Sequence, residues 1–572
     1  KRLEQVWAVL RRLCEAPVEK VLQNGLFDTF YLKLDHGIEL TNWRWDTKAM
    51  HHALEPLAEH DLATMASLET RQPYWKDEAK DPDEIAKYAS SIDALWTYCG
   101  IDAAVTLELC DVFEQQLRDA KRLRFYERHY AALFQPLCAL MTEGIHVDEA
   151  RRRRRLATLT ARCITIQDRL TALAGEPLYG KKDLSGVKLK RFLYETLKLP
   201  QQYTKNAKRE PTVTVREIAV RKLMLRYPDK LGEAGSLILE HRRAAKLASF
   251  YADTTVDADG RVRTQYGYAV TGRLTSSKNP KRRGMNLQNV DREARDHFVP
   301  DEGHIWLEVD YSQIEKRIVD CLTGDAELVR QAQTPPWEWD AHCHNATIIF
   351  GRKITKKDKV ERYIGKRAVH ASNYGMQGTT LSEVLLKDGF TYTPDECQRM
   401  VDAYLAGNPA IVAWHRRTRQ EIIQTRCVTG LFGDLWDLRF YRLNDETFRL
   451  GYALRPQNGC ARALNEGFAR LWRALRAGGF EARIRTHVHD SLGISTPPAE
   501  AWDVWQLSRW ALERPITVAG VKLVVPLELK LGTSQAAHVE FEQPPLREEF
   551  SVALATLRSE GEPPGPVASV VV

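Results

Sequence analysis

No Cys-x-x-Cys pair occurs among the ten cysteines of this 572-residue sequence, which argues against a zinc ribbon or a disulfide framework. Scattered single thiols fit a reducing compartment. No run of about eighteen apolar residues is present, the length a membrane-crossing helix requires, and no signal peptide opens the chain. A soluble intracellular protein without a membrane partner is expected. Charge of one sign is also nearly lacking, because Lys and Arg number 83 against 76 Asp and Glu, a surplus of seven. So mild a surplus favours a polyanionic partner only if the basic residues cluster. His342-Cys343-His344 has metal-binding residue types but no second ligand pair at zinc-finger spacing, so it reads as a helix bearing two histidines. No internal repeat is visible.

What is present is too long for one core, and three or four structural units are expected. Residues 1–125 alternate short apolar runs, such as 37–40, with helical patterns such as 91–113, which predicts an α/β unit. From Gly144 to about Tyr251 the sequence becomes helical and basic, with arginines at 151–155, Lys181-Lys182, and Arg242-Arg243 near Lys246. Taken alone, the run at 151–155 reads as a solvated helix face. Strand-like segments return at 265–270, 305–309, 484–488 and 523–529, and a helical block spans 337–425. A sheet split by a helical insertion is implied. Beyond His538 the sequence turns Pro- and Glu-rich, and a poorly ordered tail is expected.

Asp310 closes the apolar run at 305–309 and precedes Tyr311-Ser312-Gln313-Ile314-Glu315, while Val488-His489-Asp490-Ser491 sets a second aspartate in a similar context. Two carboxylates meeting on neighbouring strands can hold two divalent ions, the arrangement for phosphoryl transfer. Within the helical block, Arg362, Lys366, His370 and Tyr374 recur every four residues. Each step turns a helix by about 400°, so the four side chains form one slowly drifting stripe. Two cations at one end suit a triphosphate, and an aromatic ring at the other suits a base. By itself the same spacing also describes an exposed basic face over a core tyrosine.

Asp310-Tyr-Ser-Gln-Ile-Glu315, Arg362-x3-Lys366-x7-Tyr374-Gly375 and His489-Asp490 stand in an order that resembles family A DNA polymerases, of the bacterial DNA polymerase I type with a phage-like character. Thr271-Gly272-Arg273-Leu274-Thr275-Ser276-Ser277, Asn286-Leu287-Gln288-Asn289, Asp340-x-His342 and Asn408-Pro409 extend the likeness over nearly the whole chain. The resemblance implies an α+β multidomain, right-hand polymerase: an RNase H-like 3′-5′ exonuclease domain at 1–125, linker and thumb at 126–255, palm at 256–335 and 425–538, fingers at 336–424, and a tail at 539–572. It further implies that Asp310 and Asp490 bind two Mg2+ ions with the backbone carbonyl of Tyr311. Arg362 and Lys366 would grip the β- and γ-phosphates beside His342, Lys366 also protonating the leaving group. Gln313 and His370 would complete the nucleotide pocket, Glu315 would exclude a ribose 2′-hydroxyl, and Tyr374 would stack at the templating position. Arg273, Gln288, His489 and Asn458 would hold DNA. The implied partners are primer-template DNA and a dNTP, with a monomer expected.

Three departures qualify the likeness. His370 replaces an aromatic Phe or Tyr, Ser491 replaces a glutamate, and the stretch Arg455-Pro456-Gln457-Asn458-Gly459-Cys460 differs from the usual template-facing one. In the amino-terminal unit, Asn24-x3-Asp28 and Tyr98-x3-Asp102 match the second and third exonuclease motifs, but no aspartate precedes Asp28 to supply the first. Half the expected carboxylates are missing, which predicts little or no proofreading. No 5′ nuclease domain is recognised. A single-subunit RNA polymerase and a catalytically idle DNA-binding protein are the alternatives; Glu315 speaks against the first, and the intact carboxylate and cation sets against the second.

Overall fold

The computed structural model describes residues 2–75, 91–180, 183–206, 210–536 and 538–559. Its amino-terminal unit runs α1 (Arg2–Glu15), β1 (Lys20–Leu22), α2 (Leu26–His36), β2 (Trp43–Asp46), α3 (Thr47–Leu54) and, after a further short helix, α4 (Ile92–Asp119). β1 and β2 pair in parallel. Asp46 is buried at the start of α3, where its carboxylate accepts from the Ala49 N–H at 3.1 Å and the Gly25 N–H at 2.7 Å. That one side chain caps a helix and pins the β1–α2 turn. The strand expected at 37–40 does not form: Gly37 ends α2 in the left-handed conformation (φ 58°), and Ile38 and Leu40 enter the core as a loop.

The basic stretch forms two long helices packed on each other, α5 (Glu149–Ala174) and α6 (Pro228–Asp253). Its arginine run is largely committed within the protein. Arg152 and Arg153 pair with Glu149, Arg155 pairs with Asp296, and Arg151 donates to the Asp296 carbonyl at 2.9 Å. Lys181-Lys182 lies outside the described residues.

The strand expected near 265–270 forms as β3 (Thr264–Tyr268) but pairs with β4 (Leu274–Lys278) in a separate ribbon. The main sheet is built from β5 (Ile305–Tyr311), β6 (Arg483–Val488), β7 (Ser491–Thr496), β8 (Leu527–Gly532) and β9 (His538–Phe541), in the order β6-β7-β5-β8-β9 and antiparallel throughout. β5 is the central strand, with Trp306, Leu307 and Val309 wholly buried. Asp310 pairs with Ser491 on one side and Glu528 on the other. The segment expected as one strand at 523–529 is interrupted before β8 by Pro526, whose carbonyl accepts from the Ser312 N–H at 3.0 Å.

Between the sheet's two halves stand α7 (Ile314–Thr323), α8 (Ala341–Phe350), α9 (Lys359–Asn373) and four more helices up to Thr425, as the helical block predicts. The tail from 539 departs from expectation. Residues 539–541 complete β9, and α12 (Arg547–Ser559) buries Phe550 against Trp502 of α11 (Ala501–Leu512), ring centroids 5.3 Å apart. Flanking Pro and Glu hid an amphipathic spacing, Phe550-Leu554-Leu557, that packs on the main core. Among the described residues no helix is long and apolar enough to cross a membrane.

Behind the sheet runs α10 (Asp445–Ala477), the longest helix described, which carries a buried polar stripe of Asn458, Arg462 and Asn465. Asn458 Nδ2 donates to the Thr271 carbonyl at 3.0 Å and Asn465 Nδ2 to the Gly272 carbonyl at 3.1 Å. The Arg462 guanidinium, fully buried, pairs with Asp434 at 2.6 Å and donates to the Tyr130 hydroxyl at 2.7 Å. Removing one partner of a buried pair strands the other charge. Asp434→Ala is therefore expected to cost about 3–5 kcal/mol, read as a clear fall in thermal midpoint; an unchanged midpoint would contradict the role given to this pair.

Candidate active site

The central strand sets Asp310 at the mouth of the sheet, one residue before β5 ends. Asp490 occupies the β6–β7 turn, where His489 adopts the left-handed conformation (φ 47°), and its carbonyl accepts from the Tyr311 N–H at 3.1 Å. On the reverse face the Tyr311 hydroxyl donates to the Leu512 carbonyl at 2.7 Å, which fixes the strand end. Asp310 Oδ1 is buried with no hydrogen-bond partner among the described residues. Burial, then the neighbouring charges of Asp490 and Glu528, push the Asp310 carboxyl well above the usual range. Asp490 is pushed up to about 6, by burial first and Glu315 second. Acids so destabilised as anions, one of them with an orphaned oxygen, fit a divalent cation. Among the described residues no three acidic or imidazole side chains already stand at ligating distance, so ion binding would have to draw the carboxylates together.

Opposite them lies the stripe on α9. Asp340 caps α8, accepting from the N–H groups of His342 and Cys343 at 2.9 and 3.1 Å, and takes the Arg362 guanidinium at 2.9 Å. The His342 imidazole is pushed down to about 3 by burial and then by the charges of Lys366 and Arg362. A neutral imidazole thus stands beside two cations. Lys366 is exposed, and its charge also acts on Asp490, so α9 and the carboxylates address one space. Farther along the helix, His370 meets the Tyr374 ring edge-on, centroids 4.8 Å apart.

Glu315, in the first turn of α7, joins the two sides. Its carboxylate accepts from the Tyr374 hydroxyl and pairs with Arg273. The cations next to it in sequence are committed elsewhere, Lys316 to Asp320 and Arg317 to the Ser312 and Thr334 carbonyls, both at 2.9 Å. Gln313 adopts the left-handed conformation (φ 56°) at the start of the same helix. Asp340 was visible in the sequence as part of a motif, but its hold on Arg362 needed the fold. A helix-capping signature was the available signal.

Of the four residues expected on DNA, Arg273 and His489 flank the same space, the charge of Arg273 acting on both His489 and Asp490. Gln288 is buried and donates to the His487 carbonyl at 3.2 Å. The expectation for Asn458 is corrected: it is wholly buried and braces the turn that presents Arg273, so it offers no surface to DNA. Polar residues at 458, 462 and 465 fall on one inward helix face, and that spacing was the missed signal.

In the amino-terminal unit Asp28 sits on α2 and Asp102 on α4. Asn24 accepts from Lys48 Nζ at 3.2 Å, and Asp102 accepts from Trp75 Nε1 at 2.9 Å; Tyr98 lies one turn before Asp102. Asp46 is the other carboxylate near Asp28. Its oxygens already receive the N–H groups of Asn24, Gly25 and Ala49, which marks a structural anchor rather than a substitute for the first motif.

Comparison with known proteins agrees with this arrangement. The profile of a 3′-5′ exonuclease family matches residues 2–118. DNA polymerase I of Thermus thermophilus, a thermostable enzyme, is 28% identical over 438 residues, 73% of this chain and 48% of that protein. DNA polymerase I of Streptococcus pneumoniae is 26% identical over 558 residues, 91% of this chain and 60% of that protein. The chain thus spans about half the length of the first of these relatives. In fold it is similar to the POL domain of Pol1 from M. smegmatis, solved in complex with DNA primer-template and dNTP, with a TM-score of 0.76 at 21% identity, covering 93% of this chain and 88% of that one. The profile of DNA polymerase family A matches residues 151–538, more than half the sequence, and the chain belongs to that family.

Proposed function

We propose that this chain synthesises DNA on a template: a primer 3′-hydroxyl attacks the α-phosphate of a dNTP and pyrophosphate leaves. The observation that carries this reading is the meeting of Asp310 and Asp490 opposite the Arg362-Lys366 face, two acids that resist charge beside two cations. A pair of Mg2+ ions is the proposed cofactor, supplying activation of the attacking oxygen and stabilisation of the leaving one. Asp310, Asp490 and the Tyr311 carbonyl would hold the ions. Arg362 and Lys366 bind and orient the β- and γ-phosphates, and Lys366 delivers a proton to the departing pyrophosphate. His342, kept neutral by burial and then by the charges of Lys366 and Arg362, donates a hydrogen bond without adding charge. His370 and Gln313 border the same nucleotide pocket.

Glu315 is the proposed filter for the sugar, since a carboxylate held by Arg273 and Tyr374 leaves little room for a 2′-hydroxyl. Arg273 and His489 position the primer-template, with Gln288 supporting them from behind through the His487 carbonyl, by contacts that sense duplex shape more than sequence. The solved neighbour's primer-template and dNTP support these partners. Residues 126–255 act as linker and thumb, 256–335 with 425–541 as palm, and 336–424 as fingers. Because much of the thumb's arginine run is internally paired, counterion release on DNA binding draws on the remaining exposed cations. The unit at 1–125 keeps an exonuclease-like fold with little or no proofreading in this chain; rapid removal of a mismatched primer end would contradict that.

Primer extension with dNTPs or rNTPs tests the main reading. Asp490→Asn is expected to lower dNTP extension at least about a hundredfold, and equal extension would overturn the site. Glu315→Ala should relax the preference for dNTP over rNTP about tenfold or more; a wild type that prefers rNTPs would favour an RNA polymerase instead. The electrostatics also predict a stability signature. Asp490 titrates near 6 in the folded protein, above its unfolded value, so its charged form destabilises the metal-free fold above that pH, and stability rises as pH falls towards 4. Asp490→Asn should raise the metal-free thermal midpoint at pH 7.5, with the gain vanishing near pH 4.

A further inference from the structure

Ser491 stands where the family resemblance implies a glutamate, and its hydroxyl donates to the Val488 carbonyl at 3.2 Å. On the opposite side of the same strand the sheet supplies a carboxylate. Asp310 pairs across β5 and β8 with Glu528, so the two side chains leave the sheet on one face. Directly opposed like charges destabilise a strand pair. Neither acid is directly neutralised: Glu528 makes no hydrogen bond or ion pair with any described residue, and Asp310 Oδ1 is buried and orphaned. The charges of Lys530 and Arg317 reach the pair only from a distance, and Lys530 is itself held two residues along by Glu308 at 3.3 Å and Glu540 at 3.7 Å. The β5–β8 pairing thus places two acids side by side without a direct cationic partner, within reach of the Asp490 charge.

We infer that Glu528 is a third carboxylate of the divalent-cation site, taking over from the opposite flank the charge that Ser491 does not provide. The inference rests on the proposed palm site and deepens it. Glu528 acts as a positioning residue: it adds negative charge beside Asp310 and orders the water around a bound ion, in the way outer partners of metal ligands do. Strand register brings it there, so no change at the β6–β7 turn is needed.

The test is direct binding of Mn2+ to the whole protein without DNA or nucleotide, read from the paramagnetic resonance of the free ion. Glu528→Gln should weaken Mn2+ binding about tenfold, while its metal-free thermal midpoint stays level or rises, because a like charge has been removed and no bond lost. Glu542→Gln, a carboxylate paired with Lys356, should bind as wild type does. Wild-type affinity in Glu528→Gln, with binding lost in Asp490→Asn, would overturn this inference and leave the palm site standing. Equal Mn2+ binding by wild type and Asp490→Asn would remove the palm site and this inference with it.

Discussion

Everything functional in this protein depends on how three antiparallel strands register about residue 310. β5 is buried on both flanks, and a slip of one residue would turn Asp310 into the core and Val309 into the cleft. The register is secured from behind by Tyr311 on Leu512 and from the side by the Tyr311 N–H on the Asp490 carbonyl. The second bond matters most. It fastens the β6–β7 turn to the end of β5 through backbone atoms, so the separation of the two aspartates does not rely on their own side chains.

Around that point the molecule balances charge by sharing rather than by excess. Glu315 serves Arg273 from the ribbon side and Tyr374 from the helical side, and Asp340 both caps α8 and restrains Arg362. Each of these acids links separate elements of the site. A site assembled this way is preorganised without being closed, since the contacts that hold it are polar, partly exposed and replaceable by substrate groups. The basic helices α5 and α6 follow the same economy, with most of the arginines at 151–155 tied to nearby acids.

Much of the site was legible in the sequence because it lies on regular elements. A strand ending in Asp310, a helix with Arg362, Lys366 and His370 one turn apart, and a His489-Asp490 turn all have periods that survive without coordinates. What escaped depended on pairing or packing. Glu528 alternates with Leu527 and Leu529, so its face could be guessed, but its partner across the sheet could not. Asn458 looked like a surface amide until α10 was seen to turn it inward under Thr271. The loop at 37–40 read as a strand because a left-handed Gly37 can feed apolar residues into a core without any ladder. In the same way, Pro and Glu around α12 outweighed its three apolar residues.

The buried guanidinium of Arg462 reaches the Tyr130 hydroxyl and the His129 carbonyl, while Arg128 and Glu466 pair close by. Tyr126, a turn earlier, donates to the Arg44 carbonyl and accepts from the Asp46 N–H. The chain leaving the amino-terminal unit is therefore a keystone between that unit and the helix that braces Arg273. Removing that unit would strand a buried charge at the centre of the part of the chain that matches the polymerase family, so the two parts hold together as one body.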